Sequence, residues 1–297
     1  MINYSIIIPH KNTPDLLQRC LDSIPERTDV QIIIIDDNSS PEKVNFDCFP
    51  GKDRKDTEII FSKGKSGKGP GYARNAGMSV ARGKWVIFSD ADDYFTQSFN
   101  ELLDKHIDDK NEIVFFKCLR ETIEGTISDY PLINNAIDKA IESKTPDSIA
   151  LGVPCPWGKF IKRNFIVKHG IRYQEITGGD DILFSIRLAL NLKNWAACEP
   201  RLYCVADRPG SLTRNNNWQS FYSYSLACCS AYTLLKTVSK ESLAVAWLIS
   251  WWGFLWAENK LAASWLIPRI VATLRIKDAA KAIRKGIKRG RWDWRGA

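Results

Sequence analysis

Short apolar runs alternate with stretches of helical period along the first hundred positions. Residues 4–8 are rich in isoleucine and closed by Pro9, which predicts a buried first strand. Thr13 then offers a cap, Pro14 fits a first helical turn, and Leu16, Leu17, Cys20, Leu21 and Ile24 recur on one helical face. Residues 30–35 and 57–61 predict two more strands. A glycine-rich turn from Gly67 leads into a short helix that Gly83 stops, and residues 84–88 predict a fourth strand. Such alternation gives an α/β fold, a parallel sheet covered by helices on both faces.

In open sheets of this kind ligands bind beyond the carboxyl ends of the strands. The first strand ends in Pro9-His10-Lys11-Asn12, the second in Asp36-Asp37, and the fourth in Asp90-Ala91-Asp92-Asp93. All three clusters should meet in one crevice. Three carboxylates within four positions repel one another unless a cation sits among them, and hard oxygen ligands suit Mg²⁺ or Mn²⁺. Asp90, Asp92 and Asp93 are therefore the candidate metal ligands. Lys63, Lys65, Lys68 and Arg74 lie just upstream, where they suit diphosphate oxygens.

Further along, residues 112–118 predict another strand, 121–127 a hairpin arm around Gly125, and 134–143 a helix. In V-P-C-P-W-G-K-F, from Val153, two prolines and a glycine break regular structure, while Trp157 and Phe160 supply flat apolar surface. Gly178-Gly179-Asp180-Asp181 precedes apolar positions 182, 183, 186 and 190, so both aspartates fall at a helix N-terminus. One acid suffices for capping, and two exceed that need. Residues 202–206 predict a last strand before Asp207-Arg208-Pro209-Gly210-Ser211. The three histidines have no metal-ligand spacing.

S-I-I-I-P-H-K-N, I-I-I-I-D-D-N-S-S, A-R-N-A-G-M-S-V-A-R-G-K-W-V-I-F-S-D-A-D-D and G-G-D-D-I-L-F resemble, in order, the family 2 glycosyltransferases of the GT-A fold. The resemblance covers residues 1–214. It implies a Rossmann-like, mixed but mostly parallel sheet, and inverting transfer from a nucleotide-diphosphate sugar, usually with a divalent metal. It implies that Pro9 and Asp37 hold base and ribose, and that Asp90 and Asp92 hold ribose and metal-diphosphate. Asp181, the second acid of its pair, becomes the general base, with Asp180 orienting it or touching the acceptor. Trp157 is expected beside the acceptor, and Arg208 and Ser211 at diphosphate or acceptor. The departures are Lys11, where a tyrosine is common, and Asp180, where a glutamate is usual.

The expected division is a catalytic domain over 1–215, its nucleotide-sugar half ending near 118 and its acceptor half spanning 119–215. A helical, basic, tryptophan-rich region follows over 216–297. Hydrophobic residues make up 44% and charged residues 26% of the 297, too apolar for disorder. Eight cysteines without C-x-x-C spacing, and a strand beginning almost at Met1, predict free thiols in a cytoplasmic protein without a leader peptide.

The net charge of +8 lies wholly in 258–297, where eleven basic residues face three acidic ones. Nucleic-acid binding by the body is thereby excluded. Residues 243–257 carry Trp247, Trp251, Trp252 and Trp256 but fall short of the ~20 apolar residues of a membrane span. The run over 243–291 is expected to touch the cytoplasmic face of a membrane, or to pack on the catalytic domain or a second subunit. The family resemblance implies that the acceptor is a glycan or a lipid-linked saccharide of surface-polysaccharide synthesis. Two alternatives stay open: a sugar-nucleotidyltransferase, and a non-catalytic membrane-associated scaffold.

Overall fold

The structure, a computed structural model, describes residues 1–62, 67–208 and 218–274. The first half runs β1 (Tyr4–His10), α1 (Pro14–Asp22), β2 (Val30–Asp36), β3 (Thr57–Phe61), α2 (Pro70–Val80), β4 (Trp85–Phe88), β5 (Tyr94–Phe95) and α3 (Phe99–His106). The second half runs β6 (Ile113–Glu121), β7 (Ile127–Asp129), α4 (Pro131–Ser143), α5 (Asp147–Ala150), β8 (Lys159–Lys162), α6 (Arg163–Lys168), α7 (Asp180–Asn191) and β9 (Trp195–Ala206). Three helices close the described chain: α8 (Trp218–Lys236), α9 (Glu241–Glu258) and α10 (Lys260–Thr273).

One sheet carries all the strands, in the order β3-β2-β1-β4-β8-β6-β9-β5, with β7 on β6. From β3 to β4 every ladder is parallel, as the alternating pattern predicts. β8 then joins β4 and β6 antiparallel, and β9 returns parallel to β6. This mixed sheet with covering helices is the expected GT-A architecture.

The isoleucines of β1 and β2 are buried on both faces, which explains why those strands read as unbroken apolar runs. Three details differ from expectation. β8 lies inside the sheet although its four residues follow two prolines and a glycine; a strand this short shows no period. A two-residue strand, β5, precedes α3. β9 begins at Trp195 rather than near Leu202, and its register to β6 shifts between Phe116 and Cys118. Pro200 falls in that irregularity, where a missing N–H costs no ladder bond.

Two ties fix the strand ends that carry the polar clusters. Asp36 accepts from His10 Nδ1 at 2.9 Å and from the Ser39 backbone N–H and hydroxyl at 2.9 and 2.6 Å. Burial pushes its pKa up, but the bonds from His10 and Ser39 outweigh that and hold it below the usual carboxylate range. Asp36 is thus a structural anchor for the ends of β1 and β2.

The closing helices are packed on this body. α7 buries Ile182, Leu183 and Ile186 against Cys228 and Tyr232 of α8 and Leu248 of α9. α10 joins through Ala262, Ala263 and Leu266. The expected interruption near 258–260 is Asn259, whose side chain accepts from the Ala262 N–H and starts α10. The basic segment after Leu274 lies outside the described residues.

α2 sits on β1 so closely that a Cβ at Gly77 would overlap Ile7 Cγ2. Gly77→Ala should therefore lose about 1–3 kcal/mol, although alanine is favoured within a helix by roughly 1 kcal/mol. Urea denaturation checks the sign, and combining it with Ile7→Ala should give less than the sum of the two losses.

Candidate functional site

β1, β2 and β4 end side by side, so the three acidic or polar clusters do meet at one edge of the sheet. Arg74, on α2, lies between them. It is 4% exposed, and its Nη2 contacts Asp90 Oδ1 at 2.5 Å while its Nη1 contacts Asp180 Oδ2 at 2.6 Å. Its guanidinium also stands 5.3 Å from the centre of the Tyr173 ring. The approach is allowed by Gly71, where a Cβ would collide with the Gln174 carbonyl. The sequence placed Arg74 at the diphosphate; the structure gives it two carboxylates to hold together.

The three acids after β4 do not share one partner. Asp90 is paired with Arg74. Asp92 Oδ2 accepts from Arg208 Nε at 2.7 Å, and its backbone carbonyl accepts from Arg19 at 2.7 Å. Asp93 is 4% exposed and turned inward, accepting from the Ala206 N–H at 2.8 Å and from the Tyr203 hydroxyl. Burial, then Asp92 and Asp90, push its carboxyl far above the ordinary range. Among the described residues no three His, Cys, Asp or Glu side chains form a metal-holding group.

The second oxygens, Asp90 Oδ2 and Asp92 Oδ1, take no hydrogen bond among the described residues, and both side chains reach solvent. This donor set fits a hard divalent cation that draws its remaining ligands from phosphate oxygens. Asp93 is set apart from it.

The other expected residues are placed as follows. Pro9 lies within β1 beside Ile35, half-buried. Asp37 is buried and spends both oxygens on backbone, accepting from the N–H groups of Lys68 at 2.7 Å and Gly69 at 2.8 Å. It ties the loop before α2 to the end of β2. Lys68 is exposed with its ammonium 4.2 Å from the Tyr72 ring centre. Trp157 is stacked between Tyr130, at 6.2 Å, and Tyr203, at 5.6 Å. Ser211, with Lys63 and Lys65, lies outside the described residues.

Asp180 and Asp181 open α7 as the glycine pair predicts, with Gly179 at φ 75°. Asp180 is buried on Arg74. Burial raises its pKa, and the guanidinium opposes the rise. Asp181 is half-buried, and among the described residues no side chain bonds its carboxylate. Burial first, and Asp180 second, raise it to about 7, against the pull of Arg74. One acid of the pair is thus committed to structure and the other is poised to exchange a proton near neutrality.

Two contributors escaped the sequence reading. Tyr203 in β9 accepts from the Asp90 N–H at 2.8 Å and stands 3.1 Å from Ser89 Oγ, holding the loop after β4. A tyrosine amid an apolar strand is the signal, since a buried hydroxyl needs a partner. Tyr224 of α8 lies flat behind the glycine pair, and a Cβ at Gly179 would come within 2.8 Å of its ring. Tyr224 in turn stacks on Trp251 of α9 at 4.1 Å. No local pattern announced that contact.

Residues 5–167 match the family model described as Glycosyl transferase family 2. A poly(ribitol-phosphate) beta-glucosyltransferase of Bacillus spizizenii is 33% identical over 94 residues, covering 30% of this chain and 15% of that protein. The uncharacterized glycosyltransferase YibD of Escherichia coli is 26% identical over 237 residues, 73% of this chain and 67% of that one. The solved structure of TarS from S. aureus with UDP-GlcNAc superposes with a TM-score of 0.62 at 15% identity, over 97% of this chain and 81% of that chain. At that identity the likeness concerns the fold.

Arg74→Met should cost about 3–5 kcal/mol, because it strands Asp180 and Asp90 without a counter-charge. Tyr173→Phe, which removes a buried hydroxyl without a hydrogen-bond partner, should be neutral or stabilising. Chemical denaturation of both variants separates loss of the ion bridge from general damage to this layer.

Proposed function

The chain belongs to glycosyl transferase family 2, and from that membership we propose an inverting sugar transfer. The donor is a nucleotide-diphosphate sugar, UDP-linked, and the acceptor is a hydroxyl of a glycan or lipid-linked saccharide in surface-polysaccharide synthesis. The observation that carries the reading is the Arg74 bridge, which joins the acids after β4 to the acids that open α7. It supports a site in which Asp90 and Asp92 would face the diphosphate near Asp181, whose carboxyl is pushed up to about 7 by burial and by Asp180.

On this reading Asp90 and Asp92 hold Mg²⁺ or Mn²⁺. The bound cation supplies charge to offset that on the departing nucleotide diphosphate. Arg208 lies at 2.7 Å from Asp92 and can exchange that carboxylate for a phosphate oxygen, a bond it makes equally well. Asp37 and Pro9 border the place for base and ribose, with the loop before α2 folded over Asp37. Asp181 takes the proton of the acceptor hydroxyl, which then attacks the anomeric carbon on the face opposite the leaving group. Asp180, held by Arg74, fixes the turn from which Asp181 projects. Trp157 offers an apolar ring edge to a sugar from within its aromatic stack. Names among the relatives that refer to ribitol-phosphate polymers support a surface polymer as the acceptor class.

Asp181→Asn should lower kcat by about 10²–10⁴ and leave donor affinity within about twofold, measured by calorimetry. Asp92→Asn should instead weaken donor binding in the presence of Mn²⁺ and little in its absence. The wild-type kcat/KM should climb with pH and level off by about 7, because Asp181 must be ionised to accept a proton and a cation at Asp90 would ease that ionisation. Equal loss of donor affinity in Asp181→Asn would remove it as the base. Release of pyrophosphate from a nucleoside triphosphate and a sugar phosphate would replace the whole reading with nucleotidyl transfer.

A further inference from the structure

The tryptophans of α9 are mostly spent inside the protein. Trp251 lies on Tyr224 and Phe221, and Trp252 donates its indole N–H to the Ala263 carbonyl at 3.1 Å. The outward surface belongs to α10. Its inner face is small and buried, at Ala262, Ala263 and Leu266. Its outer face carries Leu261, Trp265, Ile267 and Val271, exposed by 64%, 58%, 42% and 70%. Trp256, at the end of α9, is 39% exposed and extends the patch. Large apolar side chains so concentrated on one helix face call for a covering partner.

Charge selects which partner. α10 has two charged residues, Lys260 and Arg269, both exposed and both basic. Beyond Leu274 the sequence adds nine basic residues against two acidic ones. Two copies meeting through this face would bring like charges together. An anionic lipid surface would attract the same charges and take the apolar side chains among its acyl chains. α10 has 14 residues, so it is about 21 Å long, and among the described residues no helix is long and apolar enough to cross a membrane. It can lie in the plane of an interface.

We propose that the outer face of α10, with Trp256, docks on the surface of an anionic phospholipid bilayer. The helix lies flat, its leucine, tryptophan and valine side chains enter the acyl boundary, and Lys260 and Arg269 reach the headgroups. This surface is distinct from the crevice and does not depend on the sugar-transfer reading.

The test is co-sedimentation of the full chain with vesicles of phosphatidylcholine alone or mixed with phosphatidylglycerol. Wild type should bind the mixed vesicles at least about tenfold more tightly, and lose that preference as salt screens the charges. The triple variant Leu261→Gln, Trp265→Gln, Val271→Gln should keep the wild-type melting temperature and bind at least tenfold more weakly. The double variant Lys260→Gln, Arg269→Gln, which leaves the apolar patch intact, should bind the mixed vesicles several-fold more weakly while keeping part of the anionic preference, because the nine basic residues beyond Leu274 remain. Wild-type affinity in the triple variant would overturn the proposal, as would absence of binding by wild type. A dimer of wild type, seen by light scattering and abolished in the triple variant, would also overturn it and assign the face to a second copy.

Discussion

A guanidinium shut away from water must be neutralised, and the layout of this molecule follows from how Arg74 is neutralised. Two carboxylates serve it, one from the end of β4 and one from the start of α7. Those segments are far apart in sequence and belong to the two halves of the sheet body. Bringing both to α2 requires α2 to touch β1 at Gly77 and the 174–180 segment at Gly71, each a place where a side chain has no room. Buried ion pairs seldom stabilise a fold more than apolar packing of equal volume does. The bridge earns its place by register, because it sets where Asp90 and Asp181 stand relative to each other.

The charge count around it is unbalanced. Asp90, Asp92, Asp93, Asp180 and Asp181 surround Arg74 and Arg208. Arg19 adds its guanidinium to the Asp92 carbonyl and to Glu121. With five carboxyls and two guanidiniums at the centre, full ionisation would leave a large negative surplus beside the buried Asp93 and Asp180. The surplus is relieved by raising pKa values, far up at Asp93 and to about 7 at Asp181. A divalent cation at Asp90 and Asp92 would remove two charges of the surplus. It would also draw Asp181 toward ionisation, since Asp90 is one of the charges that holds its proton on. On the proposed reading, cation, donor and base would therefore be linked through electrostatics as well as through position.

Each acidic cluster in the sequence turns out to contain at least one acid for structure. Asp36 anchors the strand ends while Asp37 ties down a loop. Asp93 turns inward while Asp90 and Asp92 face solvent. Asp180 pairs with Arg74 while Asp181 is left over. The sequence made the clusters legible, and the topology from β1 to β4 as well, because isoleucine runs and strand-end polar residues are local signals. It did not make the assignment within each cluster legible, because neighbouring aspartates differ only in which way the chain turns them. The same limit hid β8, whose four residues have no period, and Tyr203, whose partners lie over a hundred positions away. For α9 the sequence left membrane contact and packing on the body both open, and in space its tryptophans are largely used in packing.

That packing joins the closing helices to the site. Tyr224 presses on the glycine pair ahead of Asp180 and Asp181, and Trp251 presses on Tyr224. Thr177 adds a hydroxyl contact to Ser223 of the same helix at 2.8 Å. The turn that carries the proposed base is thus formed against α8 and not by the sheet body alone. α9 packs behind α8, and α10 packs on both through its small residues. Side chains packed at core density do not move independently, so the outer face of α10 and the glycine pair belong to one packed unit. If both proposals hold, a bilayer on this face would set the distance and tilt at which a lipid-borne hydroxyl meets Asp181, and anchoring both partners in one plane would raise the effective concentration of that hydroxyl at the base.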